Sequence, residues 1–396
     1  MRQYLLSENI LYSYITFGRL FIKTFFASKD TQARLTLRRF LIMSAAFPFL
    51  LLIQTVHWLG FLIDDIVFRD YRNIEIKKPF FIVGVPRSGT TFLHRLLSND
   101  KKRFTTFTLW ELVLAPSITE RKIILMFAGI DRVFGSPLNK LVDRLERVIF
   151  GSLDDIHTIS LNDPEEDYFA LASIYACFLM ILPFPFPEEL GYLAYFDDTA
   201  KKNDKERIMA FYKTILQRHL YVKGTDRILL SKNVSFGPLI QALDQTFPDS
   251  NIVGMVRHPL NAVPSHISSM MEGAAIFDND IQGHVLRDQL IDIQRYAYSH
   301  LTEVLPRMPE QRHQIIKMED LQSRLSEVIR GLYQTFGYEM NGDFEDYINK
   351  QEARQKTYKS GHRYDLAAYD LKEIDIYKRF SDMYERFNYS PPEDSS

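Results

Sequence analysis

An α/β fold built on a central parallel sheet of about five strands is the architecture this sequence predicts, and three observations predict it. Short apolar runs alternate with longer segments of helical period. Several of those runs stop at a basic residue: Ile228 to Ser231 stops at Lys232, and Asn251 to Val256 stops at Arg257. One run, beginning at Phe80, passes into a glycine-bracketed polar loop that holds Arg87. Strands alternating with helices imply parallel pairing through right-handed crossovers. Ligands then bind beyond the carboxyl ends of the strands, where Arg87, Lys232 and Arg257 all fall.

The chain has 396 residues, enough for one large α/β domain with an appendage. It is 46% hydrophobic and carries a formal charge of −2, which gives no electrostatic sign of nucleic-acid binding. Cys177 is the single cysteine, so no intrachain disulfide and no cysteine-based metal site can form. That suits a reducing compartment. The histidines show no H-E-x-x-H pattern, and no metal is expected.

Residues 1–37 mix aromatics with Arg2, Arg19, Lys23, Lys29 and Arg34, as a basic amphipathic segment does. Arg38 and Arg39 then precede residues 40–63, whose clearly polar side chains are Ser44, Gln54, Thr55 and His57. The length suits the ~20 residues needed to span a bilayer. Trp58 and the basic flank resemble interface anchors, while Pro48, Gln54 and His57 weaken a simple span. Three readings stand: a transmembrane anchor, an interfacial or re-entrant hairpin, and a buried core helix. The start does not read as a signal peptide, because the apolar run begins late and no small-residue cleavage site follows. Residues 1–75 are thus expected to form a membrane-associating region, and 76–396 the α/β domain.

Residues 80–97 read strand, tight loop, helix. Phe80 to Val85 are apolar, Gly84 and Gly89 bracket the turn, and Leu93, Leu96 and Leu97 fall at helical spacing. Such a loop aims several backbone N–H groups at one spot on the positive end of a helix dipole. It is an anion site, most often a phosphate site. The spacing Gly84-x4-Gly89 before Thr90 and Thr91 is close to a nucleotide P-loop, but the Lys of G-x-x-x-x-G-K-[ST] is missing and Arg87 stands inside the loop instead. An ordinary βα turn would explain the glycines without the coincident hydroxyls and base.

Downstream, Phe104 to Thr108 reads as a second strand. Residues 118–150 read as a basic amphipathic helical region, better explained as a solvated face on a globular core than as a second membrane contact. Asp163, Pro164, Glu165 and Glu166 carry N-cap, first-turn proline and dipole-pairing signals for a helix running to Phe178. Pro183-Phe184-Pro185-Phe186-Pro187 can be neither helix nor central strand, and could form a lid, a pocket wall, a membrane-dipping loop or a connector. Helices follow at 205–221, 238–247, 260–271 and 321–336, with a last strand at 314–317.

Pro86-Arg87-Ser88-Gly89-Thr90-Thr91 resembles the 5′-phosphosulfate loop of sulfotransferases that use 3′-phosphoadenosine 5′-phosphosulfate (PAPS), closest to the P-R-S-G-T-T branch of bacterial and lipid-type enzymes. The resemblance implies a P-loop-like α/β fold. A second segment, Arg257-His258-Pro259 with Ser265 eight residues after the Arg, is similar to the family's 3′-phosphate site, with His258 in place of the usual Asp or Asn. Arg257 can grip phosphate bidentately. Phe247-Pro248-Asp249 and Met318-Glu319-Asp320-Leu321 resemble further family segments. The branch's K-x-P-x-H is here Lys232-Asn233-Val234-Ser235-Phe236, so the histidine that could serve as base is a phenylalanine.

The resemblance implies donor contacts at Arg87, Ser88, Gly89, Thr90 and Thr91, at Phe92 for the adenine, at Arg257 and Ser265, and in a closing segment at His362 and Arg363. Sulfuryl transfer needs a base, charge neutralisation of the leaving phosphate and alignment of the acceptor. Arg87 and Lys232 suit the neutralisation. For the base, Glu166 or Glu165 is favoured over His157, seven residues before Pro164; helix-dipole pairing is the structural alternative for both glutamates. The expected function is a membrane-associated PAPS-dependent sulfotransferase acting on a hydroxyl of a hydrophobic or lipid-like acceptor. Its rivals are a P-loop kinase or hydrolase, which would need Mg²⁺ and a Walker Lys, and a non-catalytic membrane-associated nucleotide-binding protein. An interfacial hairpin would leave the domain in the cytoplasm of a bacterium; a true span would place it in the lumen, as in Golgi enzymes.

Overall fold

Five strands, β1 (Phe80–Gly84), β2 (Phe104–Thr105), β3 (Ile228–Lys232), β4 (Asn251–Val256) and β5 (His313–Lys317), pair in parallel in the order β2-β3-β1-β4-β5. The computed structural model describes residues 6–150, 160–279, 284–355 and 366–392. β1 occupies the middle, with Ile82 opposite Lys232 of β3 and Gly84 opposite Met255 of β4. The connection leaving β1 runs toward β2 at one edge, and the one leaving β3 runs back across to β4. The crevice at the carboxyl ends is therefore the place where a ligand can enter an open parallel sheet.

Both faces of β1 are buried, as helices on either side of a parallel sheet require. Phe80 and Ile82 pack with Leu93, Leu97 and Leu230 on one face; Phe81 and Val83 join the larger core on the other. That larger core is continuous with the N-terminal helices α1 (Leu6–Phe26) and α2 (Leu37–Val67), which contribute Leu20, Met43, Phe47, Trp58 and Phe61.

α1 and α2 pack as a helical hairpin, and α2 lies along the domain with one face in the core and the other exposed. α2 is about 46 Å long at 1.5 Å per residue. Its buried residues recur at three- and four-residue spacing from Arg39 to Asp64. Trp58 and Arg39, expected as membrane-interface anchors, are core residues. Trp58 packs on Phe61 and Phe211, and the fully buried Arg39 donates to the carbonyls of Phe277 (2.7 Å) and Pro183 (2.8 Å). The polar residues also face the domain: His57 bonds Glu120 at 2.6 Å, and Gln54 accepts from the Tyr175 hydroxyl at 3.0 Å. The opposite face of α2 exposes Leu41, Leu52, Leu59 and Ile66. Among the described residues α2 is the one helix long and apolar enough to cross a membrane.

One further expectation is corrected, one alternative for the proline-rich loop falls, and the helical region 118–150 divides in two. Asp163 starts no helix. Its carbonyl accepts from Leu109 N, Pro164 bridges antiparallel to Thr108, and only a short 3-10 segment, Asp167–Ile174, follows. This segment is buried nearly all round, so it lacks the one-sided period a surface helix needs. The proline-rich loop does not dip outward: Phe184 and Phe186 are buried, and Phe184 packs on Phe47 of α2. Residues 118–150 form two helices, α5 (Ile118–Val133) and α6 (Pro137–Phe150), after the short α4 (Leu109–Val113).

Candidate active site

The loop after β1 supplies the floor. Gly89 adopts φ 86° and opens α3 (Thr90–Leu97). A Cβ there would lie 2.2 Å from the Met318 sulfur, so both conformation and space demand glycine. Gly84 is equally confined, between the Met255 carbonyl and Ser88 Oγ. The first N–H groups of α3, from Thr90 and Thr91 onward, have no intrahelical acceptor and carry the positive end of the helix dipole. Ser88 plays an internal part: buried, its hydroxyl donates to the Val85 carbonyl at 2.7 Å and fixes the loop. Phe92 is half-buried and packs on the core beneath α3.

Arg87 sits in the left-handed region at φ 66°, a conformation that costs a non-glycine residue about 1 kcal/mol and needs external support. The support comes from the β4 side. Arg87 Nε donates to Ser265 Oγ at 2.8 Å, and Arg257 Nη1 donates to the Arg87 carbonyl at 3.2 Å. The two guanidinium groups and the buried Ser265 thus converge on one flank of the loop. No carboxylate among the described residues pairs with Arg257, which is half-buried.

Two residues that the motifs did not reveal, Gln294 and Tyr298, hold this flank together with Glu319. Gln294 Nε2 donates to the Pro86 carbonyl at 3.3 Å. The Tyr298 hydroxyl donates to the Arg257 carbonyl. Glu319 accepts from His258 N at 2.9 Å, which gives the Met318–Leu321 segment a task in setting the Arg257 turn. Gln294 and Tyr298 lie one turn apart on the helix His284–Val304 and are fully buried. A buried glutamine in an amphipathic helix was the available signal. His266, next to Ser265, is pushed down to about 4 by burial and stays neutral.

On the β3 side the cation is already engaged. Lys232 is 2% exposed, with its Nζ 2.6 Å from Glu166 Oε1 and 3.6 Å from Glu165 Oε1. Both glutamates therefore turn toward Lys232; neither caps a helix. Burial raises the Glu166 carboxyl above the usual range, and Lys232 opposes that shift. Asp167 is sealed behind them. Its oxygens accept from Tyr212 (2.7 Å) and Ser231 (3.0 Å), and burial pushes its carboxyl up to about 7. Phe236, standing where the branch has histidine, packs edge-on against Tyr212 with centroids 5.0 Å apart and belongs to the core. Asn233 is 1% exposed, and neither polar atom of its side chain finds a partner among the described residues. His157, His362 and Arg363 lie outside the described residues.

An apolar cavity of about 540 Å³ lies away from this crevice, between α1 and α2, lined by Phe17, Phe21, Phe25, Phe40 and Phe47 among others. It contains no group able to neutralise an anion. Among the described residues no cluster of His, Cys, Asp and Glu is suited to a metal ion.

A model of the sulfotransferase family matches residues 79–342, which include all five strands and both flanks of the loop and leave α1 and α2 outside. Among solved structures, the chain resembles sulfotransferase STF9 from Mycobacterium avium, at a TM-score of 0.66 and 17% identity over 84% of this chain and 82% of that one. It also resembles sulfotransferase STF1 from Mycobacterium tuberculosis H37Rv, at a TM-score of 0.64 and 17% identity over 95% of this chain and 93% of that one. At such identity the likeness is one of fold. No curated protein matches the chain. The match over most of the chain, agreeing with the fold, makes this protein a member of the sulfotransferase family.

Proposed function

We propose that the protein transfers a sulfuryl group from PAPS to a hydroxyl of a hydrophobic or lipid-like acceptor at a membrane surface. The observation that carries the donor is the pairing of Arg87 with Arg257 and Ser265 across β1 and β4. Two guanidinium groups beside a row of free N–H groups suit a ligand with two separate phosphates, the 5′-phosphosulfate on the loop and the 3′-phosphate by Arg257 and Ser265. Phe92 offers a half-buried ring for the adenine. PAPS is a co-substrate here, and no metal is required, because the arginines and Lys232 supply the positive charge.

The chemistry falls to the β3 flank. Glu166 takes the proton from the acceptor hydroxyl, with Glu165 beside it. The acceptor oxygen bonds to sulfur, the bond from sulfur to the 5′-phosphate oxygen breaks, and the charge left on that phosphate is met by Lys232 and Arg87. The short Lys232–Glu166 pair keeps acid and base mutually neutralised until the substrates arrive. The unpartnered amide of Asn233 supports a polar substrate group at this point, since leaving it unpaired costs about 1–3 kcal/mol. The acceptor class rests on the apolar face of α2, which would hold the domain on the cytoplasmic side of a membrane as an interfacial helix.

Thermal shift with 3′-phosphoadenosine 5′-phosphate and with ATP tests the donor. Stabilisation by the bisphosphate is expected; stabilisation by ATP alone would overturn the reading. Transfer of labelled sulfate from PAPS into a lipid extract tests the acceptor class.

A further inference from the structure

All the exposed large hydrophobic side chains among the described residues lie between Leu11 and Leu145, apart from Ile276 and Val285. Many of them belong to α5 and α6, far in sequence from the apolar segment of α2. α6 has Leu138, Leu141, Val142 and Leu145 in one stripe, 55%, 53%, 42% and 49% exposed. α5 adds Ile123, Met126, Phe127 and Ile130, and Phe134 just past its end, at the same three- and four-residue spacing, all exposed. Neither helix buries this stripe in the fold, contrary to the expectation of a solvated polar face over a core.

The pair is built firmly. Gly60 of α2 lies so close to the start of α5 that a Cβ would stand 2.4 Å from Ser117 Oγ. Asp64 accepts from Ile118 N and Thr119 N at 2.9 and 2.8 Å. The turn between α5 and α6 is closed by Asp131, which accepts from Leu138 N and Asn139 N at 2.8 and 3.0 Å. Such contacts engage three of the four carboxylates described in the pair. Glu120 caps α5, Asp131 caps α6, and Glu146 accepts from Leu161 N. Among the described residues, the charges left exposed on the two helices are Lys122, Arg132, Lys140 and Arg144, against Asp143.

We infer that the α5–α6 hairpin is an in-plane membrane-insertion element, docking on an anionic bilayer surface next to α2. An apolar stripe on one face with cations on the polar face is the pattern of an interfacial helix, and anionic lipid complements the residual charge. The inference does not rest on the sulfuryl-transfer chemistry.

The test is flotation of the full chain with phosphatidylcholine vesicles, with and without phosphatidylglycerol. The triple variant Leu138→Gln, Leu141→Gln, Leu145→Gln should bind anionic vesicles at least ten-fold more weakly, and Lys140→Glu with Arg144→Glu should lose the preference for phosphatidylglycerol. Because the triple variant could unfold, Leu141→Trp gives a second reading: its fluorescence should be quenched by brominated lipid. Unchanged flotation of a folded triple variant, or an unquenched tryptophan in bound protein, would overturn the inference. So would a dimer in solution, seen by light scattering, that the triple substitution disperses while vesicle binding is retained. Flotation needs neither nucleotide nor acceptor, so its failure leaves the proposed reaction standing.

Discussion

The two strands beside β1 each end in a cation, and the cations meet different surroundings. Arg257, after β4, is half-buried, free of carboxylates among the described residues, and braced through backbone carbonyls and Tyr298. Lys232, at the end of β3, is almost fully buried and held by Glu166. A charge removed from water must be paired, whereas one at a crevice rim can wait for a ligand. On the proposed reading, the β4 flank binds the anions and the β3 flank moves the proton. The division predicts that damage on one flank reads out in affinity and on the other in turnover.

Glu166→Gln should give the largest effect. Loss of a positioned base costs typically about 10²–10⁴-fold in rate, and affinity for 3′-phosphoadenosine 5′-phosphate should stay within a few-fold of wild type. Full turnover would move the base elsewhere. In the parent protein, activity should fall with decreasing pH above the ordinary carboxylate range, because burial raises Glu166 and only its ionised form accepts a proton.

The same flank should dominate the pH dependence of stability. Burial pushes the Asp167 carboxyl up to about 7 from the 3.8 of a free aspartate side chain, so the native state binds more protons between those values. Stability from this group is present below its unfolded value and is lost as pH rises toward 7, by about 4 kcal/mol at most. Asp167→Asn can still pair with Tyr212 and Ser231 and should abolish that loss in urea titrations at pH 4.5 and 7.5. An equal loss in both proteins would place the proton on another group.

Arg257→Ala sharpens the comparison from the other side. Bisphosphate binding should weaken by about 2–4 kcal/mol, the range for removing a charged, desolvated contact. Calorimetry showing unchanged binding would remove Arg257 from the donor site.

What the sequence disclosed was local. Gly84, Arg87, Gly89 and Thr90 sit within one short stretch, and Arg257 and Ser265 within two helical turns, so their spacing alone suggests the anion site proposed above. Each strand was visible as a short apolar run ending in a polar or basic residue. Strand order was not, since nothing in residues 80–84 says that β3 and β4 will flank them. The acidic cluster misled for the same reason: Glu166 has the local look of a helix start, and its true partner, Lys232, comes 66 residues later. Arg39 and Trp58 were misplaced because the face a helical residue presents depends on distant partners, here Phe277, Pro183 and Phe211. The two helices 118–150 were legible as amphipathic, but which side meets water is a property of packing.

Ser265→Ala is the mildest probe and the most discriminating. The hydroxyl is buried, accepts from Arg87 Nε at 2.8 Å and lies on the affinity flank. Its loss leaves Arg87 without one brace for a left-handed backbone and removes one hydrogen-bonding group from the proposed 3′-phosphate side. A single such bond is worth about 1 kcal/mol, or roughly five-fold in affinity. The rate at saturating donor should hold, because neither Lys232 nor Glu166 touches Ser265. If turnover falls further than affinity does, Arg87 depends on Ser265 for its position over the transferring group, and the two flanks act as one.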